Sequence, residues 1–111
     1  MILGFLGTGH ITSSVIEGIF KSKLRIKKIF ISPRNKTLAK KLSKRFKKVT
    51  IAKNNQQLVD KSKWVFLAVT PKVGVKILKK LNFTKNQKVI SFISTINLIQ
   101  LKKIIGNKIK I

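Results

Sequence analysis

The sequence predicts an α/β domain, a doubly wound and mainly parallel sheet of about six strands joined by crossover helices. Three observations predict it. Short apolar runs that do not alternate with polar residues recur along the chain, as expected of strands buried on both faces. Segments of helical period separate those runs, which is the βαβ signature of a parallel sheet. The chain has 111 residues, no cysteine and 43% hydrophobic content, which suits one globular domain with a sizeable core and no disulfide staples.

Taken in order, the expected strands are Ile2–Leu6, Lys28–Ser32, Lys48–Ile51, Trp64–Val69, Lys88–Phe92 and Lys108–Ile111. Between the first two, Ile11, Val15, Ile16, Ile19 and Phe20 share a helical face, and Gly18 offers a place for close packing on the sheet. After the second strand Leu38, Leu42 and Phe46 recur every four residues, leaving Lys40, Lys41, Lys44 and Lys47 for solvent. Asn54 or Asn55 is placed to cap a short helical turn carrying Leu58 and Val59. Behind Pro71, Val73, Ile77 and Leu81 form another stripe, and Leu98, Leu101 and Ile105 a last one. No linker, repeat or low-complexity tail divides the chain, so residues 1–111 read as one domain.

Charge restricts the chemistry. Lys and Arg number 26 against 2 acidic residues, a formal net charge of +24, so a partner held by charge is an anion. Glu17, Asp60 and His10 are the only acids and the only histidine. Paired-carboxylate hydrolysis, His-centred triads and clustered metal ligands therefore lack their side chains, and no metal site or catalytic residue is assigned. Any chemistry must come from a cofactor. No apolar run approaches the roughly 18 residues of a membrane span, no basic segment precedes the apolar start as a secretory signal requires, and a cysteine-free chain suits a reducing compartment. The expected location is the cytoplasm, with no membrane partner.

Gly7-Thr8-Gly9-His10-Ile11-Thr12 follows the first strand and opens the first helix, the context of a dinucleotide-binding turn. Gly7 would permit the tight turn, Gly9 would let backbone amides approach a pyrophosphate, and the helix start would add partial positive charge. Thr12 stands where the fingerprint has its third glycine. The fold is then Rossmann-like. The second strand ends in Ser32-Pro33-Arg34-Asn35-Lys36 rather than in an acid, so nothing repels a 2′-phosphate and Arg34 can fork onto one. This favours NADP, with NAD as the alternative. No GxxxxGK[ST] loop is present, which removes nucleoside triphosphatase as a competitor. His10 is placed by phosphates rather than by a reacting carbon, Trp64 reads as packing, and Ser91 as a strand-end hydrogen bonder.

Gly4-Phe5-Leu6-Gly7-Thr8-Gly9, Ala68-Val69-Thr70-Pro71 and Val89-Ile90-Ser91-Phe92-Ile93-Ser94-Thr95-Ile96 together resemble the N-terminal cofactor domain of pyrroline-5-carboxylate reductase. That family uses NAD(P)H to reduce a cyclic imine to proline. The resemblance runs the length of the chain and implies a cofactor site at Leu6, Gly7, Thr8, Gly9, His10 and Ile11 for the pyrophosphate, and Ser32 with Arg34 for the adenosine phosphate. It adds Asn55, and it places Ala68, Val69, Thr70 and Pro71 along the cofactor towards the nicotinamide. The chain departs from the family at Thr70, where lysine is usual, at Ile93-Ser94, where Ala-Ala is usual, and at Thr95, where glycine is usual. The family's later Met-Pro-Asn segment and helical substrate and dimerisation domain have no counterpart in these 111 residues, so they are expected to form the cofactor half, inactive alone and reducing an imine only with a second domain supplied. Two other readings stay open: a basic domain binding nucleic acid or other polyanions without sequence preference, and a catalytically silent dinucleotide-binding protein.

Overall fold

A computed structural model describes residues 1–111. The elements alternate as β1 (Ile2–Leu6), α1 (His10–Lys21), β2 (Lys28–Ile31), α2 (Lys36–Arg45), β3 (Val49–Ile51), α3 (Asn55–Lys61), β4 (Trp64–Leu67), α4 (Pro71–Leu78), β5 (Lys88–Ser91) and α5 (Leu98–Ile105). The strands form one parallel sheet in the order β3-β2-β1-β4-β5. The expected α/β architecture is therefore the observed one. The strand expected at 108–111 shrinks to a single bridge in which Lys110 lies beside Lys88 and its carbonyl accepts from Val89 N at 2.8 Å. Gly106, at φ +126°, turns the chain out of α5 ahead of that bridge.

Alternation along each strand feeds two cores. On one face Leu3, Phe5, Ile29, Ile31 and Phe66 pack with Ile16 of α1 and Ala39 and Leu42 of α2. The stacked rings of Phe5 and Phe66, 4.4 Å apart, join β1 to β4 there. On the other face Leu6, Phe30, Val65 and Leu67 meet Leu58 and Val59 of α3, Leu78 of α4 and Leu101 of α5. Gly4 makes the second layer possible, because a Cβ there would strike Ser62 Oγ and the Leu58 side chain. Gln87, buried before β5, donates to the carbonyls of Val59 and Ser62 and accepts from Thr84 N, pinning the end of α3 to the start of β5.

Three side-chain assignments change. Gly18 lies on the exposed side of α1 with open space where its Cβ would be, so the close approach to the sheet is made at Gly4 instead. Ile11 sits at the very start of α1 and is 49% exposed, while Thr12 takes the buried position beside it. On α4 the buried residues are Gly74 and Leu78; the half-buried Val73–Ile77–Leu81 stripe lines a cavity, with Leu81, beyond the end of α4, also packing against the core.

Candidate functional site

The sheet order reverses between β1 and β4, because the chain moves outward from β1 to β3 and then crosses back to β4. Beyond the carboxyl ends of such neighbouring strands a crevice opens in which ligands bind. The glycine turn stands at this point. Gly7 adopts φ +123°, and a Cβ there would run into the Ala68 carbonyl. Only glycine satisfies both the backbone angle and the approach of the two loops. Gly9 is different: a Cβ would meet nothing within 4 Å, so open space lies over it.

Hydrogen bonds hold the turn from three sides. Gly7 N donates to Ser32 Oγ at 2.9 Å, and Ser32 N donates to Phe5 O at 3.1 Å. Thr12 Oγ1 donates to Gly7 O at 3.0 Å, and Thr12 is fully buried. The residue in the third-glycine position therefore fastens the turn to the first helical turn of α1. Ala68 N donates to Leu6 O at 2.9 Å. Leu6, Gly7, Thr8, Ser32, Ala68 and Val69 are thus brought together from three separate segments.

Gly9 is the N-cap of α1 and supplies no side-chain cap, so the amides that open this twelve-residue helix point past an unobstructed residue. His10 and Ile11 are exposed there. Thr70 is the exposed N-cap of α4, also without a side-chain cap bond, and Pro71 follows it at the first helical position.

Arg34 and Asn55 stand apart from the turn. With Pro33, Lys53, Asn54 and Gln56 they line one side of a cavity of about 750 Å³, whose other side is α4 and its extension: Lys72, Val73, Lys76, Ile77, Lys80 and Leu81. Asn55 Oδ1 is buried and has no hydrogen-bond partner. Pro71 and Thr95 instead line a smaller groove of about 360 Å³ between α4 and α5. Ile93 turns its side chain into the core against Gly74, away from solvent, whereas Ser94 and Thr95 are exposed. Ser91 Oγ accepts from Ile93 N at 3.1 Å, the strand-end role expected of it.

Sequence reasoning missed the α4 and Lys53 side of the cavity. Its only signal was the lysines at 72, 76 and 80, which recur every four residues and so form a row along one helical side. The acids lie elsewhere: Glu17 pairs with Lys21 at 3.2 Å and Arg45 at 3.1 Å, tying α1 to the end of α2. The Lys21 hydrogen bond, with the charges of Arg45 and Lys21, holds its carboxyl below the ordinary value.

Comparison with known proteins agrees with this geometry. No curated protein sequence matches the chain. Among solved structures, 1-pyrroline-5-carboxylate reductase from Streptococcus pyogenes superposes with a TM-score of 0.82 at 26% identity, covering 98% of this chain and 40% of that one. Pyrroline carboxylate reductase from Plasmodium falciparum, solved with NADP bound, gives 0.78 at 22% identity over 96% of this chain and 38% of that one. Prephenate dehydrogenase from A. aeolicus, solved with NAD+ and hydroxyphenyl propionate, gives 0.81 at 18% identity over 98% and 40%. The chain thus spans about two fifths of the length of these enzymes. The resemblance read from the three motifs, to the N-terminal cofactor domain of the reductases, holds across the fold. Residues 2–97 match the family model described as NADP oxidoreductase, coenzyme F420-dependent. With its glycine turn at the sheet's point of reversal and that match over most of its length, the chain belongs to this family of NADP-linked oxidoreductases.

Proposed function

We propose that residues 1–111 are the NADP(H)-binding part of a pyrroline-5-carboxylate reductase-like oxidoreductase, acting in the cytoplasm in proline biosynthesis. The observation that carries this reading is the turn at Gly7–Gly9: forced to be glycine at Gly7, open at Gly9, and braced by Ser32, Thr12 and Ala68. The residues present fit the cofactor. Open space over Gly9 and the uncapped start of α1 suit the pyrophosphate, and Asn55 lines the cavity beside Arg34, where the adenosine would lie. Arg34 is exposed at the cavity edge, where it would meet a 2′-phosphate. Ser32 acts chiefly through the turn it accepts from. Val69, Thr70 and Pro71 lead away along α4, on the side where the nicotinamide would lie.

When bound, NADPH supplies the hydride that reduces the imine carbon. The chain's own part is to hold and orient the dinucleotide. Residues 1–111 offer one open side to the reacting ring, and reduction also needs the imine held against that ring and water excluded. They are therefore expected to bind dinucleotide and to turn over no imine by themselves.

Fluorescence titration of NADPH and NADH tests the cofactor reading. NADPH should bind more tightly, and Arg34→Asp should narrow the gap by replacing a charge-assisted contact with repulsion. Equal affinities in the parent chain would sink the NADP assignment. NADPH absorbance with pyrroline-5-carboxylate, alone and after mixing with the helical domain of a related reductase, tests the division of labour. Robust turnover by residues 1–111 alone would refute it.

The net charge of +24 supports a second activity, non-specific polyanion binding. Mobility shifts on several duplexes should show one affinity that falls steeply with salt. A preferred sequence surviving high salt would instead favour a nucleic-acid reader.

A further inference from the structure

A groove of about 360 Å³ runs between α4 and α5. Its floor is aliphatic: Val75, Ile96 and Ile104 line it, Ile96 buried and the other two half-buried against the core beneath. Its two sides are cationic. Lys79, at the end of α4, and Lys103, on α5, face each other's helix across that floor and are both exposed. Nothing within the chain neutralises them, because no acid lines the groove, Glu17 pairs with Lys21 and Arg45, and Asp60 accepts from Gln56.

The start of α5 adds a second observation. Leu98 and Ile99 are 50% and 68% exposed there, and Ile99 shares a helical side with Lys103, one turn further on. Apolar surface therefore continues past the rim of the groove, as it does where a partner binds. Three kinds of partner bring negative charge to lysine. The bases of a nucleic acid stack on aromatic rings, and this groove has none. A lipid surface does not enter a recess between two helices. An amphipathic helix does: apolar side chains three and four residues apart fill the groove between neighbouring helices, and carboxylates beside that stripe reach the lysines. A second copy of residues 1–111 has only Glu17 and Asp60 to offer, on different helices.

We propose that the α4–α5 groove docks an acidic amphipathic helix of another protein, its apolar stripe on Val75, Ile96 and Ile104 and its carboxylates on Lys79 and Lys103. None of these five residues belongs to the cofactor site assigned above, so docking and dinucleotide binding stand or fall separately. The net charge of +24 draws an acidic chain in from a distance, and the apolar floor selects which acidic chain stays.

Fluorescence anisotropy tests this with a labelled, helix-favouring peptide of about 15 residues, carrying leucines in an i, i+4, i+7 stripe flanked by glutamates. A second peptide exchanges the leucines for serines and keeps every glutamate. The leucine peptide should bind about tenfold more tightly at physiological salt, the worth of one or two buried apolar side chains. In Lys79→Glu/Lys103→Glu its affinity should fall about tenfold, because two attractions become repulsions at exposed positions that leave the fold intact. The control Lys40→Glu/Lys44→Glu makes the same change of net charge on α2, across the sheet, and should cost about threefold or less. Val75→Thr, which sets a hydroxyl in the floor with little change of size, should weaken the leucine peptide about threefold and leave the serine peptide alone. Failure of the leucine peptide to bind, equal binding of the two peptides, or equal losses in the two lysine variants would each overturn the docking. Duplex DNA, or vesicles of phosphatidylserine and phosphatidylcholine, losing more affinity than the leucine peptide in Lys79→Glu/Lys103→Glu would hand the groove to nucleic acid or to a lipid surface instead.

Discussion

Two kinds of helix start divide this molecule. At α2, α3 and α5 an asparagine caps the helix: Asn35 accepts from Leu38 N, Asn54 from Gln57 N, and Asn97 from Gln100 N in a reciprocal box with the Gln100 side chain. At α1 and α4 no side chain caps the helix, and Gly9 and Thr70 occupy the position. These two follow β1 and β4, the adjacent strands where the sheet order reverses. Helix starts away from the reversal between β1 and β4 satisfy their orphan amides with a side chain, whereas the two that border it leave them for something else. The difference separates stability from function within one structural motif.

Substitutions can break or sharpen that contrast. The largest effect is expected at Gly7→Ala. A positive φ and a collision with the Ala68 carbonyl should together cost about 3 kcal/mol, read by urea unfolding, and dinucleotide binding should vanish with the turn. A variant of parental stability would show that the two loops can separate freely.

Gly9→Ala is the sharper partner. Its φ of −79° suits any residue, and its Cβ would meet no protein atom. Unfolding should change by about 0.5 kcal/mol or less, while NADPH affinity drops about tenfold because the methyl group occupies the space over the turn. Loss of stability without loss of binding would contradict the role given to that space.

Asn97→Ala should behave in the opposite way. Removing the cap of α5 should cost about 1 kcal/mol in urea and leave nucleotide affinity alone, since α5 starts outside the crevice. A matching loss of affinity would blur the two classes of helix start.

The smallest effect concerns Glu17. Its folded pKa is depressed by Lys21 and Arg45, so its contribution to stability is present above the unfolded carboxylate value and disappears as pH falls through the folded one. Thermal midpoints of parent and Glu17→Gln should differ slightly near neutrality and converge in acid. The difference should also shrink in high salt, because the pair is surface-exposed. A gap that widened in acid would reverse the sign.

Much of the fold was legible because local rules and tertiary structure agree. Unbroken apolar runs such as Ile29-Phe30-Ile31 and Val65-Phe66-Leu67, short, rich in β-branched and aromatic residues and separated by helical-period segments, read as strands covered on both faces. Gly7 and Gly9 were legible as a turn because their place between a strand and a helix restricts what they can do. Gly18 was misread because a helical glycine looks the same in sequence whether it faces the sheet or solvent.

By itself, then, the amino-acid order determined the alternation of strands and helices, the position of the glycine turn, the excess of cations and the absence of acid–base pairs. These depend on neighbours a few residues apart. Only the tertiary structure decided that Ser32 braces Gly7, that Thr12 replaces a glycine by a hydrogen bond, that Ile93 faces inward, and that α4 supplies the lysines facing Arg34 and Asn55. Each of those contacts joins segments or sets a side-chain direction through packing, and no local periodicity encodes which side of a helix meets which loop. Periodicity places a residue on an element; packing decides what that residue faces.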